Sequence, residues 1–126
     1  MDVRALRTAL KAALEGQAYR VYDTLPESGQ LPLAAVSWPD EIRYHQTGAD
    51  NVDLDIVVTV AVSLNDFAKA QRDVDAVMST PGLGTKIETY ETPAWIAAIC
   101  TSASNVRQIN VGAEALAVDL NLTIRA

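Results

Sequence analysis

The chain has 126 residues, a formal net charge of −6 and a pI near 4.6, and 49% of it is hydrophobic. That length suits one domain with its own core, so a single domain over residues 1–126 is expected, and the apolar share excludes a disordered chain. Lysine occurs only at Lys11, Lys69 and Lys86 and no basic cluster is present; this excludes a protein whose main task is gripping nucleic acid, because that affinity comes from cations displacing counterions.

In chain order, Val3, Leu6, Leu10, Ala13 and Leu14 recur at helical spacing, with Arg4, Arg7, Lys11 and Glu15 elsewhere and Gly16 as a natural stop. The same charges, with Asp2, interrupt any apolar leader, so the chain is expected to be made and folded in the cytosol. No run approaches the ~20 apolar residues of a membrane span, and no membrane partner is expected. A short Tyr- and Val-rich strand is predicted over Ala18–Asp23, then a breaker-rich turn over Thr24–Pro32. A second strand covers Leu33–Trp38 and stops at Pro39. Asp40–Asn51 is polar and reads as an exposed loop or an irregular hairpin, long enough to be functional.

Val52–Val62 carries the strongest strand pattern. Val52, Leu54, Ile56, Val58, Val60 and Val62 share one face, and Asp53, Asp55, Thr59 and Ala61 take the other. Ser63 with Asp66 reads as a capping box opening a second helix, whose buried side would hold Phe67, Ala70, Gln71, Val74, Val77 and Met78. Pro81 and Gly82 end it, and a short helical turn is expected around Thr85–Tyr90. Two strands close the chain, about Ala94–Gln108 and Glu114–Arg125, joined by a turn at Asn110–Ala113. Leu116, Val118, Leu120, Leu122 and Ile124 alternate there with Ala117, Asp119, Asn121, Thr123 and Arg125. The fold class that follows is α+β: a mainly antiparallel sheet of about five strands, with two helices packed on one face. The other face, with Thr59, Asp119, Asn121 and Thr123, is expected to meet solvent or other subunits.

Catalytic chemistry finds little footing. His45 is the only histidine and lies in the polar loop, far from the only cysteine, Cys100; a nucleophile with an oriented base is not evident. Cys100, in a strand near Trp95 and Ile99, reads as a buried, inert thiol, and as a lone cysteine it permits no internal disulfide. Asp50, Asp53 and Asp55 lack the glycine and closing glutamate of a calcium loop. Pro81-Gly82-Leu83-Gly84-Thr85-Lys86 lacks phosphate-loop spacing and follows a helix instead of a strand. Paired carboxylates cannot be singled out among 16 acidic residues. The chain is therefore expected not to be an enzyme and to need no cofactor or metal. Trp38 and Tyr44 flank the long loop and are the better interface aromatics.

Four stretches carry a likeness to a known family. The first helix leads through Tyr19-Arg20-Val21-Tyr22-Asp23-Thr24-Leu25-Pro26 into a proline-rich turn; the Val52–Val62 strand runs into Ser63-Leu64-Asn65-Asp66 and then Ala70-Gln71-Arg72-Asp73-Val74-Asp75; Pro81-Gly82-Leu83-Gly84-Thr85-Lys86-Ile87 precedes the final hairpin; and Val111-Gly112-Ala113-Glu114-Ala115-Leu116-Ala117-Val118-Asp119-Leu120 opens the last strand. In order and pattern the chain resembles the small tail terminator (tail completion) proteins of long-tailed bacteriophages, with Ala94-Trp95-Ile96 as the main departure. The resemblance implies a ring, usually hexameric, at the tail–neck junction of the virion. Such a ring ends growth of the tail tube, meets the tube protein and a neck or connector protein, and lets genomic DNA pass through its lumen. An acidic chain suits a lumen that must not hold phosphates. The interface candidates on this reading are Trp38, Asp40, Arg43, Tyr44, His45, Asp50, Asp53, Arg107, Asn110 and Glu114, in the Asp40–Asn51 loop, the Ile109–Glu114 turn and their surroundings. A neck or connector ring is the nearest alternative, and a small ligand-binding or enzymatic α/β domain a more distant one.

Overall fold

A computed structural model describes residues 2–44 and 52–126. The first helix, α1 (Val3–Glu15), is capped by Asp2, whose carboxylate accepts from the backbone N–H groups of Arg4 (2.9 Å) and Ala5 (3.3 Å). Leu6, Leu10, Ala13 and Leu14 form its buried stripe. It stops before Gly16 as the sequence predicts, but Gly16 keeps helical dihedrals. The left-handed residue is Ala18, at φ +68°.

Strands β1 (Arg20–Tyr22) and β2 (Leu33–Val36) pair in parallel. This departs from the expected chain of antiparallel turns. A parallel pair needs a return crossing, and residues 23–32 supply it by running over one face of the sheet. β3 (Glu41–Tyr44) and β4 (Val52–Ser63) pair antiparallel, so Glu41–Tyr44 takes the hairpin alternative of the two the sequence offers for Asp40–Asn51, whose remaining residues 45–51 lie outside the described ones. β4 is long enough to take β2 along Val58–Ala61 and β3 along Val52–Asp55 on the same edge. That arrangement gives six strands among the described residues, where about five were expected.

The second helix, α2 (Phe67–Met78), is capped by Asp66, whose Oδ1 accepts from the Lys69 N–H at 3.2 Å. The expected Ser63 cap is not used, because Ser63 is still paired with Ala115 in the sheet. Only Ala70, Val74 and Val77 of α2 are buried; Phe67, Gln71 and Met78 face outward, contrary to the expected stripe. α3 (Leu83–Glu88) forms two residues earlier than predicted. A Cβ on Gly82, its cap residue, would lie 2.2 Å from the Ser79 carbonyl oxygen, so the glycine serves close backbone approach and not phosphate binding.

The long strands β5 (Ala97–Asn110) and β6 (Glu114–Arg125) complete the order β1-β2-β4-β6-β5, with β3 also on β4. β5 begins later and ends later than the predicted Ala94–Gln108. It is irregular between Cys100 and Ser102 and between Ser104 and Arg107, where Asn105 takes φ +61°. Ahead of it, Trp95 is buried in the core against Tyr90, while Ile96 is exposed.

Register explains the core. Leu54 faces Ile124, Ile56 faces Leu122, Val58 faces Leu120, Val60 faces Val118 and Val62 faces Leu116. These side chains meet Leu6, Leu10 and Leu14 of α1, Val74 and Val77 of α2 and Leu83 and Ile87 of α3 in one cluster. Each large buried side chain contributes about 1.5–3 kcal/mol by leaving water. The helices thus cover one sheet face, as the α+β reading requires.

The outer face is not wholly polar. Leu33, Ala61, Val111, Ala115 and Ala117 form a second apolar cluster there, with Tyr22, Leu31 and Ile109 against it. The crossing segment covers it: Gly29 N–H donates to the Val111 carbonyl (2.7 Å), and Gln30 N–H to the Tyr22 hydroxyl (3.1 Å). Gly112, at φ +89°, sits against Ser28, where a Cβ would come within 2.7 Å of its Oγ.

Candidate interaction surfaces

Beyond that small cluster, the odd-numbered positions of β4 and β6 expose short polar side chains between two edge strands. Pairing register decides what they do. Asp53 lies opposite Arg125, and Arg125 Nε and Nη2 donate to its two carboxylate oxygens at 2.9 and 3.3 Å. Asp55 lies opposite Thr123, whose hydroxyl donates to Oδ1 (2.9 Å), while Arg43 from β3 holds both oxygens. The Arg43 guanidinium holds the Asp55 carboxyl below the usual aspartate range, with the Thr123 hydroxyl helping and partial burial opposing. Asp119 accepts from Thr59 Oγ1 (2.8 Å), Asn105 Nδ2 (3.2 Å) and Arg107 Nη1 (3.2 Å). Asn121 Nδ2 donates to Ser102 Oγ (2.9 Å) and Ser104 Oγ (3.0 Å). The face is a lattice in which each arginine is matched to a carboxylate on a neighbouring strand. Exposed ion pairs add little stability, about 0–1 kcal/mol each. Their effect is to fix the face and leave it little net field.

A second surface lies at the end of β2. Trp38 is 73% exposed, yet its ring is held in place: the Arg7 guanidinium sits 5.5 Å from the ring centroid. Arg7 is fixed in turn through Nη2, which donates to the Val36 carbonyl (3.0 Å) and Asp23 Oδ1 (3.3 Å). Lys11 also contacts that carboxylate, and its hydrogen bond is the main reason Asp23 titrates below the ordinary aspartate range. Tyr44, at the end of β3, is 72% exposed. Asp40 enters the sheet through its N–H, which donates to the Asp55 carbonyl at 2.7 Å.

The structure therefore brings Arg43 and Asp53 together on the lattice, puts Arg107 at its β5 edge, and places Trp38, Asp40 and Tyr44 around the β2–β3 end. Asn110 and Glu114 lie apart, at the β5–β6 turn. That turn is not a projecting loop: Asn110 Oδ1 accepts from Gly112 N–H (2.9 Å), Leu64 N–H donates to the Glu114 carbonyl (3.1 Å), and Val111 is buried. His45 and Asp50 lie outside the described residues. Sequence reasoning placed Asp55, Thr123 and Arg125 on the polar side of β4 and β6 but did not single them out as site residues or foresee their pairing. Their common signal was an odd position on β4 or β6; Arg125 also lies opposite Asp53, which the sequence reading had singled out.

A third feature is a groove of about 530 Å³ between the end of α1, α2 and α3, with Val62, Val77 and Leu83 among its lining and Lys69 and Lys86 beside them. Tyr19 also lines it, and its hydroxyl titrates above the usual tyrosine range through burial, then the Asp73 charge. Cys100 is half-buried, not buried as expected; burial first, then Glu88, raises its thiol above the usual cysteine range. Among the described residues no group of three or more metal-ligating side chains converges, and no helix is long and apolar enough to cross a membrane.

These surfaces belong to an α+β protein with a helix-covered sheet and a polar, internally paired outer face. No family model and no curated protein matches the chain. Among solved structures, the fold is similar to that of a chain in the virion of a native gene transfer agent particle, with a TM-score of 0.58 and 19% identity. The match covers 96% of this chain and 93% of that one. At that identity the likeness is one of fold.

Proposed function

We propose that this chain is a virion structural protein that caps a tail tube as a ring, ending tube growth and forming the surface that joins tail to neck. The observation that carries the reading is the end-to-end match in fold with a chain of a gene transfer agent virion. The resemblance in sequence order to tail terminators supports the finer role. Residues 1–126 act as one unit, and Trp38, Asp40, Arg43, Tyr44, His45, Asp50, Asp53, Arg107, Asn110 and Glu114 remain the proposed contact residues. The paired outer face suits a protein that meets other subunits and lets a polyanion pass: no described arginine on that face is left without a carboxylate to match it.

The test is inactivation of the gene in its own particle system, with electron microscopy of the products. Overlong tails without joined heads are expected. Tails of normal length that fail to join heads would move the ring to the neck, the position of a connector. Normal particles would overturn both roles.

A further inference from the structure

We propose that the Trp38 end of one copy docks into the α1–α2–α3 groove of a second copy, head to tail. This deepens the assembly reading above and rests on it.

The knob is built for contact. Trp38 is the most exposed large apolar side chain among the described residues, and the Arg7 guanidinium over its ring favours one ring position before any partner arrives. A held aromatic loses less conformational freedom on binding, which is what makes an anchor effective. Pro39 follows it directly, then two acids, Asp40 and Glu41. Asp40 makes no ion pair among the described residues, and Glu41 has only Arg43, at 3.9 Å. The knob therefore combines an indole with adjacent carboxylates.

The groove has the opposite character. Its volume lies within the ~300–1,000 Å³ range of sites that take a large side chain or small ligand. Ala18, Pro32, Val62, Val77 and Leu83 offer apolar walls for an indole. Lys69, Asp73 and Lys86 stand beside them; Lys69 is paired with Asp73 at 2.8 Å, so the cation the groove offers is Lys86, which makes no ion pair among the described residues. A Trp-Pro-Asp-Glu segment complements that lining in both apolar and charged parts.

Position makes the contact intermolecular. Pro32, in the groove wall, precedes β2, and Trp38 follows β2, so the strand carries them about 20 Å apart, at opposite ends. Two different patches at opposite ends make a head-to-tail contact. Such contacts close into a ring when the rotation between copies allows it.

The test uses the whole chain in sedimentation and light scattering. Trp38→Ala alters an exposed side chain. Ala76→Glu with Lys86→Glu fills and recharges the groove at exposed helix positions. Each variant should keep the wild-type melting temperature and self-associate roughly thirtyfold more weakly, as loss of an interface anchor does. Mixed together, each supplies the patch the other lacks, and they should form one-to-one dimers that neither forms alone. A mixture that stays monomeric, or single variants that assemble like wild type, overturns the interface while leaving the tail role to its own microscopy test. A wild-type chain that stays monomeric at millimolar concentration overturns it as well. Normal tails from the disrupted gene, alongside complementation in the mixture, would overturn the tail role and keep the interface.

Discussion

Asp55 ties three strands together through one carboxylate: it sits on β4, accepts from Thr123 on β6 and is clasped by Arg43 on β3. Its proton affinity in the folded chain is lower than in the unfolded chain, so over the window between the two values the unfolded state binds more protons. Stability from this group is therefore fully present above the ordinary aspartate range and is lost as the pH falls through the depressed folded value. Arg43→Ala removes the main cause. In that variant the Asp55 carboxyl, followed by NMR titration, is expected to move up toward the ordinary aspartate value, and the acid limb of the stability curve to shift to higher pH. An unchanged Asp55 titration would show that Arg43 does not hold it in solution. Arg43, Asp53 and Arg107 could be singled out from sequence as polar residues near strong strands. Their partners could not, because each match depends on register between strands: Arg125 meets Asp53 only through β4–β6 pairing, and Asp119 collects Asn105 only because β5 is irregular there.

At the scale of elements, β4 and β6 were legible because one face of each is buried and the other is not, which prints a period of two on the sequence. β3 was not. Glu41-Ile42-Arg43-Tyr44 is short and half charged, and it forms a strand because β2 leaves half of one edge of β4 unoccupied. The start of α2 was misread for a related reason: Ser63 and Asp66 both suit an N-cap, and only the reach of the β4–β6 ladder decides between them. Asp66→Ala is expected to cost about 1 kcal/mol, the usual worth of a lost N-cap. Ser63→Ala should cost less, since its hydroxyl accepts only from Asn65 N–H at 3.4 Å. Urea denaturation of the two variants checks this, and the reverse order would return the cap to Ser63. The exposed stripe of Phe67 and Met78 was misplaced because helical periodicity alone does not say which of two adjoining faces meets the sheet.

For the molecule as a whole, the helix layer and central strands could be foreseen, but the crossing segment over the outer face could not. Its proline and glycine content reads as a turn, and nothing local announces that it closes over Leu33, Ala61 and Val111. That segment has a kinetic consequence. Gly29 bonds to Val111, and Ser28 packs on Gly112, both at the tip of the β5–β6 hairpin. The strap has nothing to lie on until β5 and β6 have formed and β6 has joined β4, so the N-terminal part of the chain must wait for the C-terminal part. Contacts so distant in sequence require closure of a large loop and slow the final step. In pulse-labelling hydrogen exchange during refolding, the amides of Gly29 and Gln30 should gain protection after those of Val58 and Leu120; protection gained first at the strap would reverse that order. A chain truncated before the β5–β6 hairpin would then leave Leu33 and Ala61 uncovered, which makes the β1–β2 end of the sheet the last to be sealed.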